Sequence, residues 1–367
     1  MELILSDRPL FLLAAPEREY IDLSQKKVAP CVGCFGCWVK TPGRCAIRDD
    51  APQIYPLIAR SRRVLYVSRV VFGSWAPPMK AMLERSLPIQ QPFLRPHMGE
   101  THHVQRLVEE KDALILAYGP ESQEEKRPVS PSGGTEPAEY EFQVLPSDLL
   151  PGRRSAGCSG KGGTLVEQVM ILNASPRAPR SNSKEYAALF SARCSLPCQY
   201  FALKGQPAAH LIQEMEHFSH LLLVFPLYVD SLPVELLAFL EKVQRNPPKN
   251  KPRLSVLINC GFLEPGQNDV AVDILRLFAK TVGFPMGAVM KLGSGEAILR
   301  SPFRSRAEKA IGRLAAAVQQ GKEEEIATAM PLPRFLFIQA GNRYWKTYGK
   351  ENGVSYEEMC RMDIEGP

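Results

Sequence analysis

The sequence predicts an α/β protein with two doubly wound parallel sheets, each in a three-layer α/β/α arrangement. Three observations support this prediction. Short aliphatic segments alternate with helical patterns in two blocks, one before residue 120 and one after residue 163. The segments of the second block are apolar on both faces, which is typical of a parallel sheet covered by helices. A stretch of the first block also aligns with a stretch of the second.

The first block contains four predicted strands and two predicted helices. The predicted strands are Glu2–Leu5, Leu10–Ala14, Val64–Val67 and Ala113–Ala117. One helix begins after Asp49 and Asp50, because carboxylates accept hydrogen bonds from free amides and Pro52 fits a first turn. The second helix carries Met79 and Met82 on one face. Between Ala14 and Tyr20 there is no room for a helix, so this half is predicted to be degenerate.

The second block follows the same alternation more regularly. Its predicted strands are Val169–Asn173, Gln199–Leu203, Leu221–Phe225, Leu254–Asn259 and Met286–Lys291. Its predicted helices are Ser183–Arg193, Ala208–Phe218, Val234–Val243, Val270–Val282 and Ser305–Gln320. The sequence therefore divides into a degenerate half (1–120), a Pro- and Gly-rich linker (121–163), a second half (164–322) and a C-terminal extension (323–367).

An internal repeat relates the two halves. The segment Arg62–Leu87 aligns without gaps with Ser219–Gln244, at a fixed offset of 157 residues. The identical pairs include Val67 and Val224, Ser74 and Ser231, Ala81 and Ala238, Leu83 and Leu240, and Glu84 and Glu241. Two strand–helix units share apolar spacing in any case, but matched Ser and Glu favour duplication.

Composition excludes several classes of function. A net charge of +6 over 367 residues is mild, without the basic stripe that nucleic-acid binding requires. The longest apolar run, Leu221 to Val229, contains Pro226 and is too short to span a bilayer. We therefore expect a cytoplasmic protein without nucleic-acid or membrane partners. Nine cysteines in a reducing compartment indicate metal or redox chemistry, since four of them are clustered.

A loop and a helix start in the second half carry residue types that bind phosphate. Ser175 and Arg177 follow the first strand of this half, and Ser181, Asn182 and Ser183 open the next helix. An anion there would meet free amides, hydroxyls and a guanidinium group. The chain has neither a Walker loop nor a G-x-G-x-x-G fingerprint. The alternative is that these serines only cap the helix.

These residues, with Phe225-Pro226-Leu227-Tyr228 and the Leu237–Lys242 helix, resemble the flavodoxin-like NAD(P)H-dependent FMN reductases. The resemblance implies two flavodoxin-like halves, with FMN in the C-terminal one and its phosphate in the first loop. It also implies that the loop after the third strand lies along the flavin ring and that the loop after the fourth approaches it. The expected FMN contacts are Ser175, Arg177, Ser181, Asn182, Ser183, Pro226, Leu227, Tyr228, Val229, Asp230, Ser231, Cys260 and Gly261.

Four cysteines form the most specific local motif, Cys31-x2-Cys34-x2-Cys37-x7-Cys45. Zinc sites usually take two separated pairs of cysteines. Three cysteines at successive two-residue gaps, with a fourth nearby, instead favour one polynuclear cluster. The spacing is similar to that of the iron–sulfur flavoproteins, a branch of the same family, and implies a four-iron, four-sulfur cluster on these four cysteines. A loop without a cluster is the alternative, because many relatives keep only part of this pattern.

The sequence thus predicts an FMN-dependent oxidoreductase that moves electrons between a reduced donor such as NAD(P)H, FMN and the cluster, if one is bound. No catalytic side chain is predicted, because the flavin performs the chemistry. Two alternatives remain open: a cluster-free FMN or quinone reductase, and a non-enzymatic electron carrier with structural zinc. The expected partners are flavin and nicotinamide molecules, and an electron-carrier protein is a candidate acceptor.

The two halves also have complementary losses. The N-terminal half has no phosphate loop, and the C-terminal half has no cysteine loop. We therefore expect a pseudo-dimer within the chain, in which the cysteine loop of one half lies over the flavin of the other. A homodimer is the open alternative.

Overall fold

The computed structural model describes residues 1–12, 15–119, 167–178 and 180–365. Two parallel sheets, one in each half, form the framework of the protein. The predicted linker, residues 121–163, lies outside the described residues.

The N-terminal half is built on a parallel sheet with the strand order β2-β1-β3-β7. Its strands are β1 (Glu2–Ser6), β2 (Arg18–Asp22), β3 (Arg63–Val71), β4 (Ser74–Trp75), β5 (Gln90–His97), β6 (Glu100–Gln105) and β7 (Asp112–Tyr118), and its helices are α1 (Gly36–Val39), α2 (Ala51–Arg60) and α3 (Pro77–Glu84). α2 and α3 bury Ile54, Tyr55 and Met82 against Leu3 and Leu5 of β1. β5 and β6 form a separate antiparallel hairpin.

The second predicted strand of this half needs correction. The predicted strand Leu10–Ala14 is wrong, because Leu10 to Leu12 form no strand and Phe11 is fully exposed; Leu13 and Ala14 lie outside the described residues. The second strand is instead Arg18–Asp22, which pairs with β1 in parallel. Its charged, half-exposed residues give no aliphatic signal because it lies at the edge of the sheet.

The C-terminal half has a six-stranded, all-parallel sheet with the order β13-β12-β11-β10-β8-β9. Its strands are β8 (Val169–Asn173), β9 (Cys198–Ala202), β10 (His220–Pro226), β11 (Arg253–Asn259), β12 (Met286–Leu292) and β13 (Glu325–Thr328), and its helices are α4 (Asn182–Ser191), α5 (Ala208–Met215), α6 (Val234–Arg245), α7 (Asp269–Val282) and α8 (Arg304–Gln319). The first five strands have the flavodoxin-like order 2-1-3-4-5. β13 adds a sixth strand beyond residue 322.

Helices cover both faces of this sheet, which confirms the predicted three-layer arrangement in the C-terminal half. α4 and α8 pack on one face through Tyr186, Phe190 and Leu314. α5, α6 and α7 pack on the other, where Leu237 and Phe278 are buried. The chain then continues into α9 (Arg334–Glu351) and α10 (Tyr356–Met359). None of the helices in the described ranges is long and apolar enough to cross a membrane.

The repeat seen in the sequence recurs as a repeated turn. At the end of β3, Val71 pairs with Ser74. After the end of β10, Tyr228 forms a bridge with Ser231. Tyr228 stands 157 residues after Val71, and Ser231 stands 157 residues after Ser74. The left-handed residues inside the two turns also match at this offset, and they are Phe72 and Gly73 in the first turn and Val229 and Asp230 in the second. The two strand ends therefore share one local structure.

The two repeated turns meet where the halves contact each other. The hydroxyl oxygens of Ser74 and Ser231 lie 3.1 Å apart and are buried. Phe72 inserts into the core of the C-terminal half, where its ring meets the ring of Phe278 edge-on at 5.3 Å. α3 packs against α6 at the same place. The two halves therefore share part of one hydrophobic core.

Candidate functional site

The candidate site lies at the edge of the C-terminal sheet where its strands end. The predicted phosphate loop leaves β8 there, and the predicted flavin loops leave β10 and β11. Because β8 and β10 are neighbours whose connections leave in opposite directions, this edge is the topological switch point at which open α/β sheets bind ligands.

The cysteine loop (residues 31–45) of the N-terminal half lies directly on this edge. The Sγ atom of Cys31 is 3.4 Å from the hydroxyl oxygen of Tyr228. Gly33 has a φ of +63°, and a Cβ atom there would lie 2.9 Å from the Tyr228 hydroxyl and 3.0 Å from Cγ of Arg177. The Arg177 guanidinium lies 4.8 Å above the ring of Phe35. The structure thus brings the cysteine loop against two of the loops predicted to hold flavin.

The four cysteines of the motif line one pocket, together with Tyr228 and Glu84. Burial raises the pKa of Cys37 well above its usual value, and the neighbouring thiolates of Cys31, Cys45 and Cys34 raise it further. Across the described ranges, no three His, Cys, Asp or Glu side chains converge closely enough to hold a single metal ion. The four thiols therefore border one pocket, but they do not form a ligand set for a single metal ion within the described residues.

Two buried guanidinium groups border the cysteine loop. Arg85 forms a bidentate ion pair with Asp49, in which Nη1 and Nη2 donate to the two carboxylate oxygens at 2.6 and 3.0 Å. The Nε atom of Arg85 has no hydrogen-bond partner within the described residues. Arg106 donates to the carbonyl oxygen of Pro88 at 3.0 Å, and one of its terminal nitrogens is likewise unpaired among these residues. Unpaired buried donors are costly. Their positive charge suits an anionic group held by the cysteines.

A C-terminal strap (residues 359–365) crosses the cysteine loop. The carboxylate of Glu365 accepts a hydrogen bond from the backbone N–H of Cys45 at 2.8 Å and another from the Tyr55 hydroxyl. It also pairs with Arg48 at 2.9 Å. No local signal in the sequence announces this contact, because 320 residues separate Cys45 from Glu365.

Replacing Gly43 with alanine is expected to loosen this strap. Gly43 has a φ of +79°, and an added Cβ would overlap the carbonyl oxygen of Asp363 in the strap. We expect the free energy of unfolding to fall by about 2–4 kcal/mol, from backbone strain and from overpacking. Urea unfolding measures the loss. Gly99→Ala is the matched control, because Gly99 has a similar φ of +83° but open space around its Cα. Equal losses of unfolding free energy in both variants would show that the contact with Asp363 in the strap contributes nothing to stability.

The predicted phosphate loop is held together by internal contacts. Ser181 caps α4 by accepting a hydrogen bond from the backbone of Lys184 at 3.3 Å. Ser183 is buried, and the backbone of Ser175 donates to Asn173 at 2.9 Å. Beside the loop is an open pocket with four basic side chains, those of Arg177, Arg180, Lys184 and Arg300.

An acidic residue that the sequence analysis did not predict contacts this loop. Nη1 of Arg177 donates to the Glu296 carboxylate at 3.2 Å, and Nδ2 of Asn182 donates to it at 2.9 Å. Burial raises the pKa of Glu296, although Arg177 lowers it. Glu296 follows β12, which is far from β8 in the sheet, so its sequence position gave no signal.

The predicted flavin loop after β10 forms the tight turn described above. Its carbonyl group at Tyr228 accepts a hydrogen bond of 2.6 Å from Nζ of Lys80, which belongs to the N-terminal half. Val229 is exposed, with a φ of 45°. Burial raises the pKa of Asp230 to about 6. The start of the loop is fixed by the backbone of Leu227, which donates to the carbonyl oxygen of Asn259 at 2.7 Å.

In the predicted loop after β11, Cys260 is buried and Gly261 borders open space. Cys260 is buried, and burial raises the pKa of its thiol to about 12, so it does not ionise near neutral pH. A Cβ atom on Gly261 would meet nothing within 4 Å, so this backbone borders open space. Phe262 packs beneath His103 of the β5–β6 hairpin, with ring centroids 5.2 Å apart.

Comparison with known proteins relates part of the chain to iron–sulfur flavoproteins. Over 84 residues, 23% of this chain, it is 34% identical to an iron–sulfur flavoprotein of Methanocaldococcus jannaschii and 33% identical to one of Archaeoglobus fulgidus. The matches span 42% and 37% of those relatives' own lengths, less than half in each case. The resemblance to iron–sulfur flavoproteins predicted from the sequence is confirmed over this stretch. No protein-family model matches the chain.

Among solved structures, a flavodoxin of Streptococcus pneumoniae TIGR4 is similar to part of the chain. It shares 16% sequence identity with a TM-score of 0.33, and the match covers 42% of this chain and 98% of the flavodoxin.

Proposed function

We propose that the protein is an FMN-dependent oxidoreductase in which electrons pass between FMN on the C-terminal half and an iron–sulfur cluster in the cysteine loop. The observation that carries this proposal is the 3.4 Å contact between Cys31 and Tyr228. It joins the loop predicted to bind a cluster to the loop predicted to lie along the flavin. The sequence similarity to iron–sulfur flavoproteins supports the same pairing of cofactors.

The residues around the phosphate loop fit FMN. The N-terminus of α4 offers free amides and a positive dipole end, and Arg177, Arg180 and Arg300 supply positive charge around it. The loop after β11 leaves the backbone of Gly261 open to a ring. FMN, when bound, supplies the electron and hydride chemistry. The chain's own role is to bind the phosphate, fix the ring position and exclude water.

We propose a polynuclear cluster rather than a single ion at the four cysteines, because the spacing of the motif is one triplet plus one cysteine and not two separated pairs. Zinc requires four ligands at about 2.0–2.3 Å around one centre, and no three such ligands converge in the described part of the chain. A four-iron, four-sulfur cluster is larger and holds its cysteines farther apart. The unpaired donors of Arg85 and Arg106 would offset its negative charge.

A cluster-free FMN or quinone reductase is the second candidate. The observation that favours it is that Cys34 is exposed, unlike the other three cysteines of the motif, so that one predicted ligand is not enclosed by protein. In either case we propose NAD(P)H as the electron donor and the cytoplasm as the site of action. Iron and acid-labile sulfide in anaerobically purified protein distinguish the two candidates.

Replacing Arg177 with alanine is expected to weaken FMN binding about tenfold or more, because a charge-assisted contact worth about 1.5–3 kcal/mol is lost. Quenching of flavin fluorescence during titration measures the affinity. Riboflavin, which has no phosphate, is the matched control, and its affinity should change little. If Arg177→Ala combined with Ser181→Ala leaves FMN affinity unchanged, the FMN assignment is wrong.

A further inference from the structure

A carboxylate of the protein itself contacts the phosphate loop. The carboxylate of Glu296 accepts hydrogen bonds from Arg177 and from Asn182, the first residue of α4. These two residues are also predicted to hold the phosphate of FMN. A phosphate group bound by the same two residues would be repelled by the Glu296 carboxylate. Two unit charges about 4 Å apart interact by several kcal/mol near a protein surface.

Arg177 does not need Glu296 to hold its position. On its other side the guanidinium group of Arg177 stacks over the ring of Phe35. The aliphatic carbons of the Arg177 side chain pack against Gly33 in the cysteine loop. Removing the carboxylate would therefore leave Arg177 in place with a free donor. This argues that Glu296 occupies a ligand position and does not serve to orient the arginine.

Glu296 is also free to leave this position. About 35% of its side chain is exposed, so the carboxylate can rotate into solvent. The backbone before it is fixed, since Ser294 is fully buried and a Cβ on Gly295 would lie 2.7 Å from Cβ of Asn259. A change in the side-chain rotamer alone would exchange one anion for another, without movement of the sheet.

We propose that the Glu296 carboxylate is an internal competitor for the phosphate of FMN, and that it lowers the affinity of this protein for phosphorylated flavin. The inference rests on the proposed function, because it concerns the same phosphate loop. A consequence is that the protein discriminates less between FMN and riboflavin than the basic residues of the loop would otherwise permit.

Glu296→Gln tests the proposal, because glutamine keeps the size of the side chain and removes its charge. We expect FMN affinity to rise about tenfold and riboflavin affinity to change by less than twofold. Glu185→Gln is the matched control: Glu185 lines the same pocket, but its carboxylate is paired with Arg304 at 3.0 Å. It should change FMN affinity by no more than about threefold.

Inorganic phosphate provides a second readout that does not depend on flavin. The rise in melting temperature caused by phosphate should be larger in Glu296→Gln than in the unmodified protein, since at a fixed concentration a ligand that binds more tightly stabilises the folded state more. Unchanged or weaker binding of both FMN and phosphate in the variant would overturn the inference. If neither protein binds flavin but the variant gains phosphate affinity, Glu296 competes with an anion other than FMN, and the proposed FMN function fails together with the flavin part of the inference.

Discussion

Replacing Cys37 with serine is expected to remove the iron and sulfide of anaerobically prepared protein, from about four of each per chain to near zero. Cys37 is partly buried, and its thiol lies among those of Cys31, Cys34 and Cys45. A serine hydroxyl does not ionise near neutral pH, so it does not replace a thiolate ligand. Iron analysis, sulfide analysis and visible absorption measure the loss, while FMN should stay bound.

Cys360→Ser is the matched control for this prediction. Cys360 packs in the same hydrophobic cluster as Cys37 and also lies near Arg106, but it is not part of the four-cysteine motif. Its replacement should leave iron and sulfide unchanged. Unaltered iron in Cys37→Ser, or stoichiometric zinc without sulfide in the unmodified protein, would reject the cluster.

Replacing Glu84 with glutamine is expected to lower the free energy of unfolding by about 3–5 kcal/mol. The side chains of Lys80 and Glu84 are both 0% exposed, and their charged atoms lie 3.0 Å apart. The same oxygen of Glu84 accepts a hydrogen bond of 2.8 Å from the backbone of Val234, where α6 begins. Neutralising Glu84 leaves the Lys80 cation buried without the charge of its carboxylate partner, while Lys80 still donates to the carbonyl oxygen of Tyr228. Urea unfolding measures the change.

The internal repeat supplies the control for this second prediction. Glu241 stands 157 residues after Glu84, but its carboxylate pairs with Arg69 at 2.6 Å and with Arg245 at 3.5 Å, and both arginines are partly exposed. Glu241→Gln should therefore cost no more than about 1 kcal/mol. Similar losses in the two variants would mean that burial of the Lys80–Glu84 pair is not what stabilises this contact.

The C-terminal sheet was predictable from the sequence because its central strands are buried on both faces. Leu221–Phe225 is wholly apolar, and it lies inside β10 as predicted. Two of the edge strands were not predictable in this way: Arg18–Asp22 and Glu325–Thr328 carry charged residues and therefore have no continuous apolar run. The β5–β6 hairpin was also missed, since Pro92 and Pro96 interrupt its strand pattern.

The loops of the candidate site were found from residue spacing, but their closest partners were not. The cysteine motif and the serines of the phosphate loop are local patterns, and local patterns are visible in a sequence. Glu296 and Glu365 reach these loops across 119 and 320 residues of chain. Such contacts depend on how helices and sheets pack, and a single carboxylate has no pattern that would reveal its partner.

The insertion of Phe72 into the core of the C-terminal half fixes how the two candidate cofactor sites meet. When two such sites belong to separate subunits, dilution separates them, and their meeting follows second-order kinetics. Here the cysteine loop and Tyr228 are parts of one chain joined through a shared core, so their effective concentration is set by the fold. Their encounter is first-order at any dilution at which the chain stays folded, and no subunit dissociation constant limits it.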